Sequence, residues 1–73
     1  MDAIAIGGRL RQEREKKKKT LNEVSDALEI SKSALSMYET GRRIPRDTIK
    51  ARLSRYYGRS IASLFYAEDI HSK

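Results

Sequence analysis

"TLNEVSDALEISKSALSMYETGRRIP", Thr20 to Pro45, is the stretch whose reading decides the fold. Its opening "TLNE" sets a threonine three positions before a glutamate. That is a capping box: the Thr20 hydroxyl serves the backbone N–H of Glu23, and the Glu23 carboxylate serves that of Thr20. A helix therefore starts here, with Val24, Ala27 and Leu28 on its inner face. Ser31 caps a second helix after a very short connection, so the two must cross steeply. Leu35 and Tyr38 point inward from it, and Gly41 supplies the left-handed residue that ends it. Arg42, Arg43 and Ile44 then form a loop punctuated by Pro45. Glu39 stands out in this stretch, a negative charge close to a pair of arginines in a basic chain.

Outward from this centre the apolar spacing stays helical, with no period-two strand. Upstream, a helix is expected from about Ala5 to Lys18. Its stripe runs Ile6, Leu10, Arg14, so an arginine occupies the place of the next core residue. Gly7 and Gly8 fit a first helical turn poorly, whereas Lys16 to Lys19 suit a carboxyl end. Downstream, Asp47 to Tyr57 reads as a helix with Ile49, Leu53 and Tyr56 inside, Tyr57 near the surface and Gly58 at its end. Ser60 caps a short last helix carrying Ile61, Leu64 and Phe65. The expected fold is all-α: a bundle of about five short helices around a central helix-turn-helix, in a single domain over 1–73. Its core spans about 5–65, and 66–73 form a tail.

Composition narrows the function. Sixteen Lys and Arg against ten Asp and Glu give a formal net charge of +6 in 73 residues, with a pI near 9.9. This balance favours an anionic partner, nucleic acid above all. A chain of this size buries only about 60–65% of its unfolded surface, so its stability margin is small. Cysteine is absent and His71 is the single histidine. Disulfides, thiol chemistry and Cys-based zinc sites are thereby excluded, and no nucleophile–base pair, metal cluster or phosphate loop stands out. An enzyme is not expected, nor a cofactor or small-molecule ligand. The apolar run Ala3 to Ile6 is too short for a membrane span or a signal peptide, so a cytoplasmic, nucleoid-associated protein is expected.

The pattern "IGGRLRQERE…T-LNEVSDALEIS-KSALSMYETGRRIP" resembles the phage-repressor, or Xre-type, helix-turn-helix family over roughly Ile6 to Phe65. The most specific part is a serine-rich helix followed by aromatic, Glu, Thr, Gly, basic pair and Pro. The resemblance implies a sequence-specific regulator of transcription, a repressor of a phage or mobile element, that reads double-stranded DNA with its third helix in the major groove. It assigns base contacts to Lys32, Ser33, Ser36 and Met37. Lysine can donate to guanine O6 and N7, serine suits several bases, and methionine can make only apolar contact, most usefully with a thymine methyl. It assigns phosphate contacts to Lys19, Thr20, Arg42 and Arg43. It sets Arg14 beside Glu39 as a largely buried ion pair, and it makes Ile61, Leu64 and Phe65 candidate contacts of a homodimer on an inverted repeat.

Three departures from the family pattern matter. Leu21 stands where the family often has glutamine at the amino end of the second helix. Ser25 fills a position that is usually alanine, between the two central helices. Glu29 occupies a turn position that is usually glycine, so a left-handed or rebuilt turn is expected there. Leu21 and Met37, both apolar on the face meant for DNA, keep a second class open: a protein-interaction module of the same fold, an antitoxin-like protein or an inhibitor with a protein partner. An architectural DNA factor is the third.

Overall fold

The structure, a computed structural model, describes residues 1–67. It contains five helices: α1 (Ala3–Lys16), α2 (Leu21–Leu28), α3 (Lys32–Glu39), α4 (Asp47–Tyr57) and α5 (Ile61–Phe65). Among the described residues there is no strand, and no helix is long and apolar enough to cross a membrane.

Local chemistry sets each helix start. Thr20 and Glu23 form the capping box, with the Thr20 N–H donating to Glu23 Oε1 at 2.8 Å and the Glu23 N–H donating to Thr20 Oγ1 at 3.1 Å. Ser31 and Ser60 cap α3 and α5 by accepting from the Ala34 and Ser63 N–H groups. α1 begins two residues before the expected Ala5, because Asp2 Oδ1 accepts from the N–H groups of Ile4 and Ala5.

The helix ends share one solution. Beyond α1, α2, α3 and α4 the chain turns left-handed at Lys18 (φ 57°), Glu29 (φ 58°), Gly41 (φ 77°) and Gly58 (φ 65°). In each case the next residue's N–H reaches back to a carbonyl of the last turn: Lys19 to Arg14, Ile30 to Ser25, Arg42 to Met37 and Arg59 to Ser54, at 2.9–3.2 Å. These closures satisfy carbonyls the helix leaves orphaned. Glu29 thus takes the left-handed turn between α2 and α3, and α1 ends at Lys16 rather than Lys18 because Lys18 carries its closing residue.

The core joins Ile6 and Leu10 of α1, Val24 and Leu28 of α2, Leu35 and Tyr38 of α3, Leu53 and Tyr57 of α4, and Leu64 and Phe65 of α5. α1 packs most extensively on α3. Gly7 explains that closeness. A Cβ there would lie 2.6 Å from the Tyr38 carbonyl oxygen and against that of Glu39, so only glycine lets the two backbones meet.

Several expectations change. Ala27 is exposed, whereas Ser25 is buried, in keeping with its expected place between the central helices, its Oγ donating to the Asn22 carbonyl at 3.1 Å. Tyr57 is in the core, while Tyr56 is half-buried with its ring edge-on to Tyr57 and the Lys17 ammonium 5.2 Å from its centroid. Lys50 is buried: its Nζ donates to the Tyr66 hydroxyl at 3.0 Å and lies over the rings of Phe65 and Tyr66. Tyr66 is therefore half-buried and engaged rather than part of a tail, and residues 68–73, with His71, lie outside the described residues.

Candidate nucleic-acid interface

The shared end of α1 and α3 holds the site in place. Arg14 donates to Glu39 through both Nε (2.8 Å to Oε2) and Nη2 (3.0 Å to Oε1), a bidentate pair. The Glu39 side chain is 4% exposed and that of Arg14 14%. The hydrogen bond to Glu39 raises the Arg14 pKa above its ordinary value, so the guanidinium is held in its charged form. Arg14 Nη1 also donates to the Lys19 carbonyl at 3.0 Å, linking the same pair to the turn that leads into α2. The Tyr57 hydroxyl is buried without a hydrogen-bond partner, and burial, with the Glu39 charge second, pushes its pKa well up.

With its carboxyl end fixed, α3 presents its other side outward. Lys32 and Ser33 are exposed and Ser36 and Met37 half-buried. These four line one groove together with Leu21 from the start of α2 and Arg42 from the loop. Met37 forms the hinge of this arrangement, since its carbonyl accepts from the N–H groups of both Arg42 (2.9 Å) and Arg43 (3.3 Å). The basic pair therefore leaves the helix in a direction set by the backbone of a groove residue.

At the start of α2, Lys19 and Thr20 are exposed. The capping box occupies the N–H groups of Thr20 and Glu23, which leaves those of Leu21 and Asn22 without an acceptor inside the helix. Such donors attract anions. The Glu23 carboxyl at the same end is held below its ordinary pKa, first by the Thr20 N–H and also by Lys19.

Sequence reasoning missed Arg11. It lines an adjoining groove with Arg14, Leu21, Ser36, Glu39 and Thr40, extending the basic face onto α1. Its pairing with Glu15 at 3.1 Å is the i,i+4 signal of an ordinary surface residue, which is how it reads in the sequence. The lysine run divides: Lys16 lies 3.5 Å from Glu13 and Lys17 covers Tyr56, so both turn toward their own domain. Of the three candidate dimer residues, Leu64 (1% exposed) and Phe65 (0%) are buried in the core of the domain. Ile61, 38% exposed, is at the surface.

Two crossed helices, capped and joined by a left-handed turn, with the second helix facing outward, define a helix-turn-helix protein. Comparison with known proteins agrees. The family described as helix-turn-helix domain matches residues 5–64, and the chain belongs to it. It is also similar to the solved structure of the clp gene regulator ClgR from C. glutamicum. The likeness has a TM-score of 0.79 at 29% identity and covers 99% of this chain and 95% of that one. Among curated proteins nothing matches significantly.

Proposed function

We propose that this protein is a sequence-specific double-stranded DNA-binding regulator of transcription, a repressor, that lays α3 in the major groove. One observation carries the reading: Lys32, Ser33, Ser36, Met37 and Arg42 converge on a single groove of α3's outward face. Lys32, Ser33 and Ser36 supply hydrogen-bonding groups for base edges. Arg42 and Arg43, with Lys19, Thr20 and the free donors of α2, supply phosphate contacts on either side. The likeness to a gene regulator over nearly the whole chain supports the same reading.

One copy offers a small contact area, so the proposal includes a homodimer on an inverted repeat with half-sites about 34–36 Å apart. Ile61 is its surface candidate. Selection from a randomised duplex library, followed by fluorescence anisotropy, tests the function. The expected outcome is an enriched palindrome whose affinity falls steeply with salt as neutralised phosphates release counterions. Salt-sensitive binding with no enriched sequence would point to an architectural factor, and no duplex binding at all to a protein-interaction module.

A further inference from the structure

The groove on α3 holds two apolar residues that hydrogen-bonded base reading leaves unexplained. Leu21 is half-buried and packed against the hydrophobic core, which makes it a fixed wall. Met37 is half-buried across the same groove, with its backbone held by Arg42 and Arg43 and its unbranched side chain free to adapt. Neither side chain can donate a hydrogen bond, so a polar base edge placed against them would lose its water without replacement. In the major groove the standard base that offers a methyl group at its edge is thymine, at C5. Lys32 and Arg42 on the same lining supply positive charge beside the apolar pair.

We infer that Leu21 and Met37 form a notch for the C5 methyl of a pyrimidine, so that the protein selects thymine, and accepts 5-methylcytosine, at one position of each half-site. The inference rests on the DNA-reading proposal and deepens it: the residue at the start of α2 becomes a determinant of base choice through burial rather than hydrogen bonding.

The test uses the palindrome enriched from the randomised library. Each thymine is replaced in turn by deoxyuridine, which removes the methyl and leaves every hydrogen-bonding group. One position per half-site is expected to lose about fourfold in affinity, the worth of one buried methyl, with little change elsewhere. Met37→Ala should bring the thymine-to-uridine ratio at that position close to one. Lys32→Ala should weaken binding to both duplexes and leave the ratio intact. At the same position, 5-methylcytosine should bind more tightly than cytosine. A thermal melt by circular dichroism confirms that each variant is folded. Leu21→Gln is the second notch variant, and because Leu21 touches the core, Met37→Ala decides if it unfolds. An enriched palindrome insensitive to every uridine would overturn the notch while leaving DNA reading intact. A ratio that survives Met37→Ala would do the same. Failure to enrich any sequence would remove both, and would be seen before the uridine scan begins.

Discussion

The two ends of α3 live under opposite rules. At its carboxyl end, the Glu39 side chain is 4% exposed and bidentate to Arg14, and Gly7 of α1 lies against the carbonyls of Tyr38 and Glu39. At its amino end, Lys32 and Ser33 are exposed and face a groove. The first end is specified by packing and buried charge, the second by what it shows to solvent. Substitutions at the first should therefore change stability, and substitutions at the second should change recognition.

Breaking the buried pair gives the largest expected effect. Glu39→Ala and Arg14→Ala should each cost about 3–5 kcal/mol by stranding the remaining charge. Against a total of about 4–11 kcal/mol for a chain of this length, either change brings the domain near unfolding. The double variant should lose less than the sum of the two in urea denaturation. Strict additivity would mean that the two ends of α3 are not held differently after all. Gly7→Ala comes next, at about 1–3 kcal/mol, because the new methyl meets backbone carbonyls that cannot swing aside.

The outward groove, which Arg42 lines from the loop beyond the anchored end, sharpens the contrast from the other side. Arg42→Ala should leave the melting transition within about 0.5 kcal/mol of the parent, yet weaken binding to all duplexes and reduce the slope of log affinity against log salt by about one. If Arg42→Ala instead melts early, the loop belongs with the anchored end.

Three smaller tests probe the surroundings. Glu29→Gly relieves a left-handed glutamate and should stabilise by at most about 1 kcal/mol. Gly58→Ala creates the same strain, with nothing within 4 Å of the new Cβ, and should cost a similar amount. Tyr57→Phe removes an orphaned hydroxyl and should be near neutral below pH 10. Above that, the unfolded chain releases its Tyr57 proton from the ordinary value of 10.0 while the folded protein retains it. The unfolded state then binds fewer protons, so stability falls as pH rises. The parent should lose stability there more steeply than Tyr57→Phe.

Much of this arrangement was legible in the sequence, because helix starts and apolar stripes are local signals. The capping box at Thr20, the caps at Ser31 and Ser60 and the inward Leu35 and Tyr38 needed no tertiary information. What escaped depends on partners distant in sequence. Lys50 ranks as polar and charged, yet it is buried, its ammonium bonded to the hydroxyl of a tyrosine sixteen residues on. Tyr56 and Tyr57 stand three and four residues beyond Leu53, both helical spacings, so periodicity alone could not choose between them. Lys18 ends a helix in the left-handed region without being glycine, so the first helix read two residues too long. Gly7 looked like a defect until the carbonyls of α3 were seen against it.

Gly7 and Arg14 are seven residues apart, two helical turns, and so lie on one face of α1. Together they grip the last residues of α3 at two points. Mechanically, α3 is a cantilever about 12 Å long, clamped at one end and loaded at the other. Two clamping points forbid rotation of the helix about its own axis, so the rotational register of its outward side chains is set by α1.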